Sequence, residues 1–366
     1  MLLSYSMHGF KSVRNNIKVD LKSTNYKILS KSNVSNTGIL KGALFIGQNG
    51  SGKSTMIQSV KLLLDLMFNE NEIDLRNYFC LTNTEEKHIK LTYDFYIRSS
   101  NINYEIDIEY GKPLLITEKL YVNQELFVDR LGSNGRYSND SNPVHATNIE
   151  SNRLFLRDLY ESNFLNGNKI LFEFMNFLHE SCYVNPLENK VVPYNEAVNS
   201  HTMQVIESQV NDMNEVFDTL NLKFRLIIRN DKDKVSLRLK RDEEQVALPI
   251  SMESTGIKHL IRMLPSYLNV MKKGGLLIID EFGVLHPTLE KKLIGYFEEN
   301  TKNGQVLLAT NSTTILNSNV LRADQLYSVY KDGNSTNILR FSSKQPRELQ
   351  NMEKMYFNGT FNGIDE

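Results

Sequence analysis

The chain has 366 residues, of which 40% are hydrophobic and 23% are charged, a composition typical of a globular protein of one or two domains. A formal net charge of −1 excludes a global positive field that would attract nucleic acid, and two cysteines argue against a disulfide framework or a set of zinc fingers. The N-terminal segment lacks a signal-peptide pattern and no apolar run reaches membrane-spanning length, so we expect a cytoplasmic protein without a membrane contact.

The first predicted elements surround a phosphate-binding loop. Residues 2–8 and 16–21 have the pattern of two strands, and Gly42–Ile46 is a short apolar run typical of a buried strand. The next residues, GQNGSGKS, fit the pattern G-x-x-x-x-G-K-[ST], and the helix predicted to reach Phe68 carries its apolar residues on one face. Strand, loop and helix in this order are the context that a phosphate-binding loop requires.

Each residue type in this loop suits the binding of phosphate groups. Glycines let backbone N–H groups point inward at phosphate oxygens, and the positive end of the following helix adds to the attraction. We expect Lys53 to reach the β- and γ-phosphates as a catalytic group and Ser54 to ligate Mg²⁺. The alternative is a glycine turn before a surface helix, in which the fixed positions match by chance. The predicted nucleotide-binding residues of the loop are Gly47, Gln48, Asn49, Gly50, Ser51, Gly52, Lys53, Ser54 and Thr55.

Antiparallel strands and then helices follow the loop. Alternating apolar residues predict a series of strands, over 89–97, 104–110, 114–122 and 126–130. Residues 132–143 are predicted to form a loop. Helical spacing of apolar residues marks 151–220, with an interruption at VNPLENKVVP, residues 184–193. The predicted organisation is a first lobe with the phosphate loop, an inserted helical lobe and a second lobe, over 1–150, 151–220 and 221–366.

The second lobe supplies two carboxylates after another buried strand. A hairpin is predicted around residues 230–233, and a helix that begins at Ile257 precedes an apolar strand ending in Asp280 and Glu281. Ligands bind at the carboxyl ends of parallel strands, so we expect Asp280 to hold Mg²⁺ and Glu281 to polarise the attacking water as catalytic base. The alternative is an ordinary strand that ends in an acidic turn.

The spacing of these motifs indicates a particular class of ATPase. More than two hundred residues separate Lys53 from Asp280, and a long insertion with antiparallel strands first and helices next is typical of ABC-type ATPase heads. Such heads carry a signature loop at a helix N-terminus before the second motif, and Ser254-Thr255-Gly256 stand at that place. A helix that begins there can meet a γ-phosphate with its positive end. The alternative is a simple helix cap with Ser254 as the N-cap.

The chain resembles the stand-alone bacterial ABC-class ATPases near the SMC, RecF and OLD groups, which are classed broadly as AAA-family proteins and include RloA-like and abortive-infection ATPases. The most specific part of the similarity combines the signature E-S-x-G with D-E-x-x-x-L-H-P. Matching stretches extend nearly from end to end: MHGFKS, GQNGSGKST, ITEKLY, MESTGIKHLIRML, LLIIDEFGVLHP, LLATNS, LRADQLYSV and MEKMYFNGTFNG. The resemblance implies an α/β fold, an ABC-type P-loop head whose mixed sheet is joined by an antiparallel β subdomain and an inserted helical lobe.

The resemblance also implies ligands and partners. ATP and Mg²⁺ would be bound, and two chains would enclose two ATP molecules head to tail, so that Ser254, Thr255 and Gly256 act on the nucleotide of the other copy. The segment around His286 would contact that copy. A homodimer or higher oligomer of this kind would control a separate effector, a nuclease or toxin, in phage defence or genome maintenance.

One position departs from the family pattern and keeps alternatives open. The strand after the second motif ends in Thr310-Asn311, where such heads often have Thr-His, and the amide of Asn311 donates a hydrogen bond but carries no charge. A nucleotide-gated scaffold or sensor with little turnover is therefore a second hypothesis. The motor subunit of a membrane transporter is a third, against which the missing L-S-G-G-Q motif argues. Direct binding of nucleic acid is left open, with these candidate residues: Arg153, Arg157, Arg238, Lys240 and Arg241.

Overall fold

A mostly parallel sheet forms the centre of the molecule. The structure, a computed structural model, describes residues 1–80, 87–138, 143–195, 203–231, 234–317 and 320–364. The central sheet contains β3 (Gly42–Ile46), β10 (Cys182–Asn185), β11 (Lys190–Pro193), β15 (Gly275–Ile279), β16 (Gly304–Thr310), β17 (Leu326–Asp332) and β18 (Ser335–Arg340). Their order is β11-β10-β15-β16-β3-β17-β18, and only the edge strands β11 and β18 pair antiparallel. β3, β15 and β16 are buried along their whole length, as their continuous apolar sequences require.

A large antiparallel sheet forms a second layer. Its strands are β1 (Leu2–His8), β2 (Ile17–Asp20), β4 (His88–Ile97), β5 (Ser100–Glu109), β6 (Leu115–Val122), β7 (Glu125–Leu131), β8 (Asn134–Tyr137) and β9 (Val144–Ala146). The order β2-β1-β4-β5-β6-β7-β8-β9 is a meander that the N-terminal strands extend at one edge. Along β4 and β5 buried residues alternate with more exposed ones, so one face of the sheet packs on the core.

Helices cover both faces of the central sheet. The helices are α1 (Ser30–Asn33), α2 (Lys53–Phe68), α3 (Phe155–Glu161), α4 (Lys169–His179), α5 (Met203–Thr219), α6 (Thr255–Lys273), α7 (Pro287–Asn300) and α8 (Met352–Phe357). One hydrophobic core joins Phe45 of β3 to α2, α3, α4 and the antiparallel sheet. The other joins Leu44, on the opposite face of β3, to α5, α6 and α7. None of the helices in the described ranges is long and apolar enough to cross a membrane.

A small antiparallel sheet packs against α5. It consists of β12 (Phe224–Asp231), β13 (Lys234–Arg241) and β14 (Leu248–Pro249), in the order β12-β13-β14. The hairpin predicted around residues 230–233 joins β12 and β13, although Lys232 and Asp233 lie outside the described residues. After β14 the chain enters α6, so this sheet leads directly to the predicted signature loop.

Two local expectations need correction. The predicted loop over 132–143 contains β8, because the alternation in Asn134–Tyr137 is too short to separate a strand from a loop; residues 139–142 lie outside the described part. The interruption predicted at 184–193 within the helical segment contains β11 and part of β10, two strands that the sequence did not indicate and that join the central sheet. The fold class is confirmed, whereas the boundaries of the three lobes stay a prediction.

Candidate functional site

The phosphate loop follows the central strand β3, which lies between β16 and β17. Gly50 and Gly52 have φ angles of 79° and 104°, in the left-handed region that favours glycine. Gly52 is the N-cap residue of α2, so the first N–H groups of the helix face the loop. This arrangement gives an anion the partial positive charge of a helix end and a ring of backbone donors.

Close packing under the loop also requires glycine. A Cβ atom at Gly47 would lie 2.1 Å from the Val329 carbonyl oxygen, and one at Gly52 would lie 2.4 Å from Thr336 Oγ1. Thr336 Oγ1 donates to the Ser51 carbonyl oxygen at 2.9 Å. Contacts with Val329 of β17 and Thr336 of β18 therefore stabilise the curled conformation of the loop.

Two side chains of the loop fit a bound triphosphate. The Ser51 hydroxyl is buried and has no hydrogen-bond partner within the described residues, so a phosphate oxygen would satisfy it. Lys53 Nζ donates to the Gln48 carbonyl oxygen at 2.9 Å and folds across the loop. Burial lowers the pKa of Lys53, and the carboxylates of Glu281 and Asp280 oppose this shift. A bound phosphate would give the Lys53 ammonium group a negative partner. This partner would stabilise the charged form of Lys53, which burial destabilises.

The remaining loop residues differ in exposure. Gln48, Asn49 and Gly50 are exposed at the mouth of the loop. Thr55 is buried, and its hydroxyl lies 3.1 Å from Ser12 Oγ in the connection between β1 and β2. The side chain of Thr55 therefore ties the loop to the N-terminal strands, which leaves its backbone N–H as the group available to a phosphate.

The second motif meets the loop at Asp280, directly after β15. Ser54 Oγ donates to Asp280 Oδ1 at 2.8 Å, although 226 positions separate the two residues. Burial raises the pKa of Asp280, and its hydrogen bonds oppose that rise. Within the described residues no group of three or more His, Cys, Asp or Glu side chains could hold a metal. The hydroxyl and carboxylate suit Mg²⁺, which usually shares its coordination between one or two protein oxygens, phosphates and water.

Three side chains around Asp280 were not expected from the sequence. Gln58 Nε2 lies 3.5 Å and Tyr183 Oη 3.4 Å from Asp280 Oδ2, and Lys11 Nζ donates to Gln58 Oε1 at 2.5 Å. Gln58 follows Ser54 by four positions, so helical periodicity alone could have indicated it. Lys11 and Tyr183 come from other strands and connections, which only the tertiary structure brings here.

Glu281 lies in a sharp turn next to Asn311. The φ angle of Glu281 is 58°, a left-handed conformation that is uncommon for a residue other than glycine. Asn311 follows the neighbouring strand β16, and its Nδ2 lies 3.4 Å from Glu281 Oε2. Phe282 N donates to the Ala309 carbonyl oxygen at 2.8 Å, and this bond anchors the turn to β16. The turn keeps the Glu281 carboxylate at the sheet edge beside the phosphate loop.

The predicted signature lies in a different neighbourhood. Ser254 is exposed and is the N-cap of α6, where its hydroxyl accepts from Ile257 N at 3.4 Å. A Cβ atom at Gly256 would lie 3.7 Å from Leu285 Cδ2, in the segment after Glu281. The structure thus brings together the phosphate loop, Asp280, Glu281 and Asn311, whereas residues 254–256 form an exposed helix N-terminus that packs beside the segment after Glu281.

Comparison with known proteins identifies the fold. A family model described as "AAA domain, putative AbiEii toxin, Type IV TA system" matches residues 43–317, the larger part of the chain. The SMC head bound to the C-winged helix domain of ScpA is 14% identical with a TM-score of 0.56, over 92% of this chain and 97% of that chain. The SMC head domain from Thermotoga maritima is 16% identical with a TM-score of 0.50, over 93% and 98%. Both similarities show an ABC-type head fold, and no curated protein matches significantly.

Proposed function

Because the chain belongs to this AAA domain family, we propose that it hydrolyses ATP with Mg²⁺ and that the reaction opens and closes a head-to-tail dimer controlling a separate effector. The observation that carries the proposal is the 2.8 Å hydrogen bond between Ser54 and Asp280, which joins the two phosphate-site motifs in one place. Lys53, with its lowered pKa, lies in the same site.

Each residue of the site has a proposed task. Backbone N–H groups of the loop and Lys53 bind the phosphates, while Ser54 and Asp280 hold the metal ion. Mg²⁺, when bound, neutralises charge on the phosphate oxygens. Glu281 orients a water molecule and accepts its proton, and Asn311 donates a hydrogen bond that fixes the Glu281 carboxylate.

The exposed N-terminus of α6 supports a site that two chains complete. Ser254 and Thr255 are exposed, and the helix of 19 residues directs its positive end outward at them. In the proposed dimer these residues and Gly256 meet the γ-phosphate bound by the other copy. Binding of ATP therefore closes the dimer, and hydrolysis at Glu281 opens it.

The output passes to a separate protein in this proposal. The family description names a putative AbiEii toxin of a type IV toxin–antitoxin system, which supports a role for this ATPase in such a system. The separate effector that we propose is a nuclease or toxin in phage defence or genome maintenance. One similar head is bound to a winged-helix domain of ScpA, and this supports a protein partner for a head of this fold.

Glu281→Gln tests the proposal. Removal of the base is expected to lower phosphate release by about 10²- to 10⁴-fold and to leave ATP binding intact. Light scattering should then find this variant as a dimer with ATP and as a monomer with ADP. Lys53→Ala, which should not bind ATP, is the matched control and should remain monomeric. A monomeric Glu281→Gln variant at saturating ATP and Mg²⁺ would contradict the head-to-tail dimer.

Asn311 favours one second candidate, a nucleotide-gated scaffold with little turnover. The amide beside Glu281 supplies a hydrogen bond but no positive charge for the transition state. A wild-type rate of phosphate release equal to that of Glu281→Gln, together with tight ATP binding, would favour the scaffold over the switch.

A further inference from the structure

The outer face of the small sheet carries a group of positive charges. Side chains alternate across β12 and β13, and Leu226 and Leu239 are buried in the core that includes α5. The opposite face carries Arg225, Arg229, Arg238 and Lys240, which we call the basic face. Arg225, Arg229 and Lys240 are exposed, and Arg238 is half-buried.

The register of the strands places like charges side by side. Arg225 lies directly opposite Lys240, a cross-strand arrangement that destabilises a sheet unless an anion screens it. Asp218 of α5 pairs with Arg225 at 2.5 Å, but both side chains are more than half exposed, so the ion pair is weak. Lys240 has no ion pair within the described residues. Arg238 Nη1 reaches only the Ala247 carbonyl oxygen, at 3.3 Å, and its Nε has no partner there.

The chemistry of the basic face suits a chain of phosphates. Three of its four cations are arginines, whose planar guanidinium groups bind phosphate with two parallel hydrogen bonds. Residues of one face recur about every 6.7 Å along a strand, so the cations form an extended row rather than a pocket for one anion. Ile227, 37% exposed, lies opposite Arg238 and offers an apolar contact to a sugar. An open, extended row of this kind follows a backbone and reads no base edges.

The geometry points to the basic face as a binding surface for the sugar–phosphate backbone of nucleic acid, without sequence specificity. This surface is local, since the whole chain has a net charge of −1. It also has a path to the proposed ATP site. Strand β13 ends at Arg241, whose Nη2 lies 2.5 Å from the buried Glu253 Oε2, and Glu253 immediately precedes Ser254. Through this contact we infer a coupling between nucleic acid on the small sheet and the signature loop, and this coupling alone rests on the proposed function.

Fluorescence anisotropy with labelled single-stranded and duplex DNA and RNA tests the surface directly, on the full chain without nucleotide. The double variant Arg238→Gln/Lys240→Gln is expected to bind about tenfold more weakly at moderate salt. Loss of two phosphate contacts should also make the plot of log K against log salt shallower by about 1.4 for single strands and 1.8 for duplexes. Thermal unfolding of this surface variant should match the wild type.

A control variant separates the basic face from net charge. Lys31→Gln/Lys302→Gln removes two exposed cations elsewhere on the chain and should leave the affinity unchanged. Equal weakening in both double variants would overturn the proposal, as would polyglutamate or anionic vesicles that bind the wild type more tightly than nucleic acid does. Phosphate release provides a separate measurement: nucleic acid should stimulate the wild type several-fold and the surface variant little. Binding that persists without stimulation would refute the coupling and leave the binding surface established.

Discussion

The side-chain amide of Asn311 lies 3.4 Å from Glu281 Oε2, across the ends of the neighbouring strands β15 and β16. This pair joins the proposed catalytic base to a neutral donor. The rate of the proposed reaction should therefore depend on what stands at position 311.

Asn311→His should raise phosphate release by about tenfold at pH 6, because a protonated histidine makes a charge-assisted hydrogen bond to the carboxylate and to developing charge on phosphate. The gain should decline as the pH rises through about 6.5, where histidine loses its proton. Steady-state phosphate release across pH measures both effects. Asn311→Ala serves as the control and should be slower than the wild type; a histidine variant no faster than the alanine variant would contradict the assigned role of Asn311.

Mixing two inactive variants tests whether neighbouring chains complete each other's sites. Lys53→Ala removes the phosphate ligand and Ser254→Arg blocks the signature, so each variant alone should be inactive. In a mixed head-to-tail dimer, one site keeps the intact Lys53 of one chain and the intact Ser254 of the other. An equal mixture should recover phosphate release, to at most about half of the wild-type rate, because only the mixed dimer contains a complete site and it has one such site instead of two.

The control for this experiment places both substitutions in one chain. A dimer of this double variant contains no complete site, so the double variant should be inactive at every protein concentration. If the mixture of single variants shows no recovery while light scattering detects mixed dimers, residues 254–256 do not act on the neighbouring chain's nucleotide.

Tyr183→Phe tests the support of Asp280. The Tyr183 hydroxyl lies 3.4 Å from Asp280 Oδ2, and its loss removes one donor that holds the buried carboxylate in place. The Mg²⁺ concentration for half-maximal phosphate release should rise about threefold to tenfold, since a hydrogen bond as long as 3.4 Å contributes about 1 kcal/mol. Tyr121→Phe, on the antiparallel sheet, is the control. A change in maximal rate with the same Mg²⁺ requirement would argue against this positioning role.

The buried carboxyl group of Glu298, which lies away from the proposed site, should make the stability of the protein depend on pH. It is buried, and burial raises its pKa to about 8, although Gln325, Lys41 and Arg322 oppose the rise. The folded state then keeps a proton that the unfolded state releases near pH 4.5. The free energy of unfolding should therefore fall with pH between about 4.5 and 8, by up to about 1.4 kcal/mol per pH unit, and level off above that range.

Denaturant unfolding at pH 6 and pH 8.5 checks this expectation. Glu298→Gln cannot titrate, so it should lose less stability between the two pH values than the wild type does. Glu299→Gln changes an exposed neighbour and should behave like the wild type. Parallel pH profiles for all three proteins would show that Glu298 does not retain its proton.

The sequence by itself determined the local chemistry of the site. The conformation of residues Gly47 to Thr55 was predictable from the local sequence. Glycine permits the curled backbone, and the pattern of apolar residues specifies the flanking strand and helix. The strand that leads to Asp280 and Glu281, and the helix that begins after Ser254, were predictable for the same reason. Each of these features depends on neighbours within a few positions along the chain.

Only the tertiary structure decided which of these features meet. The contact of Ser54 with Asp280 depends on the order of strands in the central sheet, and that order follows from packing of the two cores rather than from any local pattern. Tyr183 reaches Asp280 because β10 joins the sheet beside β15, a strand that no local pattern indicated between the predicted helices. Contacts between distant segments depend on how the whole chain buries its apolar surface. Local sequence patterns do not show how much apolar surface each possible arrangement would bury.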